Sequence, residues 1–144
     1  MNSKTADQAF AYFKSGLNCA ESVFRAVLES TEGESARTLS RMATPFGGGV
    51  GGSRKELCGA LSGGVMAIGF YTGREVPEAD AGPSKALADS LRDRFVHHLR
   101  CTDCQSVLDK LGPQEKSEHC AQLVANTTDW VMELLKDAIH SPGE

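Results

Sequence analysis

Apolar residues recur every three or four positions along most of the chain, and this spacing constrains the fold more than any other feature. The most regular run covers residues 120–138, and similar stripes cover residues 6–17, 23–28 and 87–99. No segment alternates apolar and polar residues convincingly, so strands are not expected. We therefore predict one all-α domain over residues 1–144, a compact bundle of about five to six helices.

Two capping-box patterns predict where helices begin. Asn18 is followed three residues later by Glu21, and Ser53 is followed three residues later by Glu56. The first box predicts a helix that starts directly after Asn18. The second predicts a helix over residues 54–71.

Glycine is unusually frequent inside the second of these helices. Gly59, Gly63 and Gly64 each cost roughly 1 kcal/mol of helix propensity relative to alanine. A helix that accepts this cost has another backbone, a partner subunit or a cofactor pressed against it. We predict a central, buried glycine-rich helix, which is also compatible with a homodimer.

The run Gly47–Gly52 must form a loop, because five of its six residues are glycine. It satisfies G-x-G-x-x-G formally, but the preceding segment is helical rather than a strand, so a dinucleotide site is not expected. The loop leads to Arg54 and Lys55 and could hold an anion, although a plain connector is the simpler interpretation.

Composition and charge exclude several classes of partner. The chain has 15 basic and 19 acidic residues and a net charge of −4, which argues against nucleic acid as a partner. The N-terminus has no apolar signal segment, and the longest weakly polar run, residues 57–71, is shorter than a membrane span. We therefore expect a cytoplasmic protein without membrane insertion. In that reducing setting, cysteines serve as ligands, redox groups or core residues rather than as structural disulfides.

Four of the five cysteines fall near predicted helix starts. Cys19 follows Asn18, Cys104 follows the cap candidate Asp103, and Cys120 lies three residues after Ser117, another cap candidate. Cys58 is placed in the second turn of the glycine-rich helix. Helix N-termini stabilise thiolates, the form that attacks disulfides and binds metals. The alternative for any single cysteine is simple packing.

The remaining thiol, Cys101, forms a C-x-x-C pair with Cys104. This spacing suits a redox dithiol or half of a zinc site, but a second C-x-x-C is missing. The four histidines are interpreted as solvated or packed side chains rather than ligands: His97, His98, His119 and His140.

The segment Cys58-Gly-Ala-Leu-Ser-Gly63 matches the C-G-A-x-x-G signature of the C_GCAxxG_C_C family, which is described as redox-active. The chain resembles this family over nearly its whole length. Residue by residue, the family cysteines correspond to Cys19, Cys58, Cys104 and Cys120, whereas Cys101 is an addition. A similar domain accompanies split-Soret cytochromes, where an iron–sulfur cluster is associated with it. The haem chemistry does not transfer, because the chain has no C-x-x-C-H.

The resemblance implies a redox site of these four cysteines, as ligands of a [2Fe–2S] cluster or another metal, or as thiols for disulfide exchange. Cys101 would be a substitute ligand. In the exchange version, Cys58 is the expected attacking thiol, because it lies near a basic pair and a helix start. The redox partner is unknown. The alternative is a helical interaction module with a structural zinc or with merely packed cysteines.

Overall fold

The computed structural model describes residues 3–139, apart from the side chain of Lys116. These residues fold into eight α-helices. Their bounds are α1 Lys4–Ser15, α2 Cys19–Glu32, α3 Ser35–Leu39, α4 Gly59–Thr72, α5 Gly82–Leu99, α6 Cys104–Leu111, α7 Glu118–Leu134 and α8 Lys136–Ile139. Short 3₁₀ turns cover Ser40–Phe46 and Glu115–Ser117.

The all-α prediction is confirmed for the described residues, but the expected five to six helices are too few. The regular run at the C-terminal end is broken at Leu135, so it forms α7 and the short α8 rather than one helix. Among residues 3–139, no helix is both long and apolar enough to cross a membrane.

The glycine-rich helix α4 lies in the centre of the bundle, as predicted. Residues 59–64 of α4 are all buried, and the helix packs against α2, α5 and α7. A Cβ atom on Gly63 would lie 2.5 Å from the carbonyl oxygen of Ala20, and one on Gly64 would lie 2.8 Å from Leu91 and 2.9 Å from Val131. Glycine is therefore needed here because backbone and side chains of neighbouring helices occupy the space that a methyl group would take.

Two of the predicted helix starts are confirmed. The Asn18 side chain accepts a hydrogen bond from the Glu21 N–H, and the Glu21 carboxylate accepts one from the Asn18 N–H. The Asp103 side chain accepts a hydrogen bond from the Ser106 N–H at the start of α6. Both caps satisfy N–H groups that the helix itself leaves free.

The predicted start at Arg54 is wrong, because α4 begins only at Gly59. Arg54 has a positive φ of 66°, which no right-handed helix contains. The carbonyl oxygens of Arg54 and Glu56 instead accept hydrogen bonds from the Gln105 and Cys104 N–H groups. Long-range backbone pairing therefore replaces the local capping box.

The loop over residues 47–52 forms a compact left-handed turn. Residues 48–52 all have φ between 65° and 73°, including Val50. The N–H groups of Val50, Gly51 and Gly52 donate to carbonyls at residues 45–47, so most of the turn is satisfied internally. This arrangement favours the connector interpretation over an anion site.

The α2–α4 contact makes a direct prediction for Gly63. Gly63→Ala should lower the free energy of unfolding by about 1–3 kcal/mol, because the added methyl meets backbone atoms that cannot move aside. Gly69→Ala lies in the same helix, and its added Cβ meets nothing within 4 Å beyond the adjoining backbone of that helix. It is the matched control and should be neutral or stabilising. Urea denaturation of both variants measures the difference. Equal effects would contradict the close packing of α2 on α4.

Candidate functional site

One partly enclosed cavity of about 210 Å³ is lined by four of the five cysteines: Cys19, Cys58, Cys104 and Cys120. The rest of its wall is largely apolar, with Phe13, Val107, Leu123 and Val124 among the lining residues. Asn18, Gly48 and Arg54 complete the wall. The cysteines come from four different helix starts, which are far apart in the sequence and meet only in the fold.

Cys19 is the first residue of α2 and lies against α4. A Cβ atom on Gly59 would clash with the Cys19 sulfur, so glycine at this position makes room for the thiol. Hydrogen bonds from the N–H groups of Gly48 and Ala20 lower the pKa of Cys19, whereas its burial has the larger effect and raises that pKa overall.

Cys58 and Cys104 are brought together by two antiparallel segments. The Cys58 N–H donates to the Thr102 carbonyl oxygen at 2.7 Å, and the Cys104 N–H donates to the Glu56 carbonyl oxygen at 2.8 Å. Cys58 occupies the N-cap position of α4, whereas the sequence placed it in the second turn of that helix. Cys104 follows the Asp103 cap, as predicted.

Cys120 lies in the first turn of α7, but Ser117 does not cap this helix as expected. Ser117 has a positive φ of 58° and its side chain makes no capping hydrogen bond. The Gln114 side chain takes this place, since its Oε1 accepts from the Cys120 N–H at 2.8 Å and its Nε2 donates to the Cys120 sulfur at 3.3 Å. Gln114 was missed from the sequence because it lies outside the helix and matches no capping pattern.

Burial raises the pKa of three of the cavity thiols, Cys19, Cys58 and Cys104. Burial, and after it the neighbouring Cys19, raises the pKa of Cys58 to about 12. The pKa of Cys104 is also raised, first by burial and then by Cys19, while Arg54 opposes this shift. The expected attacking thiol, Cys58, therefore has the wrong environment for a low-pKa nucleophile. Of the basic pair that prompted this expectation, Arg54 lowers the pKa of Cys104 rather than that of Cys58.

Cys101 lies apart from the cavity. Its sulfur donates to the Leu99 carbonyl oxygen at 3.4 Å, and it does not contribute to the cavity wall. The C-x-x-C pair thus directs its two cysteines to different places. This separation follows from the Asp103 cap, which begins α6 between them.

The histidines lie elsewhere too. His98 packs edge-on against Trp130, and His119 Nδ1 lies 3.0 Å from the Leu111 carbonyl oxygen. His97 is exposed, and His140 falls outside the described residues. Among residues 3–139, no three His, Cys, Asp or Glu side chains form a group that could hold a metal ion.

The sequence model of a family described as "Putative redox-active protein (C_GCAxxG_C_C)" matches residues 17–134. The chain belongs to this family. A relative from Archaeoglobus fulgidus, described as an uncharacterized protein, is 28% identical over 131 residues, which cover 83% of this chain and 85% of the relative. No solved structure matches the chain.

The motif of the C_GCAxxG_C_C family has a direct structural meaning in this chain. Cys58 occupies the N-cap position of α4, Gly59 leaves space for the Cys19 sulfur, and Gly63 allows the backbone of Ala20 to approach. The motif therefore builds the contact between α2 and α4 as well as contributing a thiol.

The raised thiol pKa values predict how the stability of the metal-free protein depends on pH. A thiol whose pKa rises on folding stabilises the folded state below its unfolded pKa of roughly 8.5 and loses this contribution as pH increases toward its folded pKa. For Cys58, whose folded pKa is about 12, the loss begins above about pH 8.5. Urea midpoints measured from pH 7 to 10 should therefore fall less steeply in Cys58→Ala than in the parent chain. Parallel curves would contradict the burial of this thiol.

Proposed function

We propose that this protein is a redox protein in which Cys19, Cys58, Cys104 and Cys120 hold an iron–sulfur cluster within the cavity. The observation that carries the proposal is that these four cysteines line one cavity while the fifth lies outside it. Four thiolates are the usual complement of a [2Fe–2S] or [4Fe–4S] centre.

The chemistry of the donors fits a polynuclear centre better than a single ion. A zinc ion requires all its ligands within about 2.3 Å of it, and no group of three side chains placed to hold a metal ion is found among residues 3–139. A cluster places iron and sulfide between its thiolates and so suits ligands spread around a cavity. Buried thiols with raised pKa values also need a nearby cation before they ionise, so iron binding would displace their protons.

The remaining residues of the cavity suit the task of holding negative charge away from water. The N–H groups of Gly48 and Ala20 point at the Cys19 sulfur, and those of Ala60 and Leu61 at the Cys58 sulfur. Such hydrogen bonds stabilise thiolates and tune the reduction potential of a cluster. When bound, the cluster supplies one-electron chemistry. The apolar wall limits water access, and a reducing compartment such as the cytoplasm suits the free thiols.

Disulfide exchange is a second candidate, favoured by the position of Cys104. This thiol is partly exposed, and Arg54 lowers its pKa against the effect of burial. Its thiolate would attack a substrate disulfide and expel one substrate thiolate. A neighbouring cavity cysteine would then attack the Cys104 sulfur and release the second. The substrate gains two electrons and two protons, and the protein retains a disulfide.

Iron analysis after anaerobic purification tests the cluster proposal. The parent chain should contain iron and acid-labile sulfide in comparable amounts and absorb visible light. Cys104→Ser should lose most of the iron, because a serine hydroxyl is a poor ligand for iron. Cys101→Ser is the matched control and should keep the iron content of the parent.

Two results would contradict the proposal. One is an equal loss of iron in both variants. The other is a colourless, iron-free parent chain after anaerobic reconstitution with iron and sulfide. In the latter case, a cavity disulfide detected by mass spectrometry after mild oxidation, absent from Cys104→Ser, would support the exchange mechanism instead.

A further inference from the structure

The segment over residues 35–55 has a charge opposite to that of the rest of the protein. It contains four basic residues and no acidic residue, and it is bounded by Glu34 and Glu56. Since the whole chain carries −4, the remaining residues carry −8. A positive surface on an otherwise acidic protein attracts negatively charged partners to one place.

This segment also forms part of the wall of the cysteine cavity. Gly48 and Arg54 line the cavity, and Arg54 is exposed, so it lies at the mouth. The Asn18 side chain donates to the Thr44 carbonyl oxygen at 2.9 Å, which fixes the 3₁₀ turn beside the start of α2 and Cys19. A molecule bound to this segment therefore lies next to the thiols.

Three apolar side chains project from the same segment into solvent. Met42 is 55% exposed, Val50 44% and Phe46 36%. The Gly51 N–H donates to the Pro45 carbonyl oxygen and the Val50 N–H to that of Phe46, so the left-handed turn folds back on the 3₁₀ turn. Met42 and Pro45 are one 3₁₀ turn apart and share a face. Phe46 and Val50 are thus joined by a backbone hydrogen bond, and Met42 lies in the same 3₁₀ turn as Phe46.

Val50 has an unfavourable conformation for its type. It is β-branched, has a φ of 65° and is the only residue with a side chain in a turn otherwise made of glycine. Backbone strain in a β-branched residue persists where function requires it. The Val50 side chain is nearly half exposed, so packing in the core does not explain why a valine is present at this position. Contact with another molecule explains it better.

The basic residues at this surface are available to a partner. Arg41, Arg54 and Lys55 are all exposed, and none of them takes part in an ion pair found among residues 3–139. Arg37 is excluded, because it lies beside Glu29 and Glu34 in a separate groove. The basic–apolar face is therefore defined by Arg41, Met42, Phe46, Val50, Arg54 and Lys55.

We infer that the basic–apolar face is the docking surface for a small acidic electron-carrier protein. This inference rests on the proposed redox function. Charge complementarity indicates the partner, because carboxylates of the carrier would surround the apolar side chains and pair with the basic ones. Such complementarity sets the orientation and speed of association. With a cluster bound by the four cysteines, the reduced carrier would pass one electron to it, and no bond would form or break.

Binding of a small acidic [2Fe–2S] ferredoxin, measured by calorimetry, tests this inference. Affinity should fall as salt increases from about 20 to 200 mM, because exposed charges are screened over this range. The double variant Arg41→Glu/Lys55→Glu should bind at least about tenfold more weakly. Arg54 is left unchanged because it lines the cavity.

The matched control is Lys4→Glu/Lys136→Glu, which changes the net charge by the same amount. Lys4 lies beside the C-terminal end of α2, and Lys136 follows the C-terminal end of α7, opposite to the ends that carry Cys19 and Cys120. This control should bind nearly as well as the parent. A further variant, Val50→Gly, should weaken binding without lowering the thermal midpoint, because glycine relieves the positive φ.

Several outcomes would overturn the docking inference. One is that the ferredoxin shows no salt-dependent binding. Another is that both double variants weaken binding equally. A third is self-association of the parent chain that Arg41→Glu/Lys55→Glu abolishes, because a second copy would then be the occupant. Iron content is measured separately on every variant. If Arg41→Glu/Lys55→Glu keeps the parent's iron content and binds the ferredoxin as the parent does, only the docking surface is refuted. If the parent chain contains no iron but still binds the ferredoxin, only the cluster is refuted.

Discussion

The close approach of α4 to α2 is the constraint on which the rest of the structure depends. Gly63 meets the backbone of Ala20, and Gly59 meets the sulfur of Cys19, so two helices lie nearer to each other than side chains would allow. This contact places the N-terminal ends of both helices, and with them Cys19 and Cys58, at the same cavity. The glycines of α4 lower its intrinsic helix propensity. The helix is nevertheless stable, because the same glycines allow α2 to pack closely against it.

Charge at the cavity follows from the same arrangement. Helix starts direct backbone N–H groups toward the sulfurs, which favours thiolates, while burial and mutual repulsion oppose them more strongly. The net effect is a raised pKa at Cys19, Cys58 and Cys104, and a nearby cation would lower it again. Arg54 at the mouth is the one basic side chain that lines the cavity in the described part of the chain.

Features set by neighbouring residues could be predicted from the sequence. The capping box at Asn18 and the helix start after Asp103 were both predicted correctly, because each depends on a few adjacent residues. The family resemblance likewise separated Cys101 from the other thiols, and the structure places it outside the cavity.

Features set by distant residues could not be predicted. The start of α4 depends on pairing between residues 54–58 and 102–105, and the cap of Cys120 comes from Gln114, which precedes the helix. The pKa of Cys58 depends on burial by other helices, which outweighs its helix-start position. No local pattern carries these contacts, so the expectations at Arg54, Ser117 and Cys58 failed for the same reason.

The most direct test of the shared four-cysteine site is anomalous diffraction at the iron edge from anaerobically grown, iron-loaded crystals. We predict that the iron signal lies within the cavity, bounded by Cys19, Cys58, Cys104 and Cys120. An iron signal at Cys101 or at the protein surface, with the cavity empty of iron, would contradict the account.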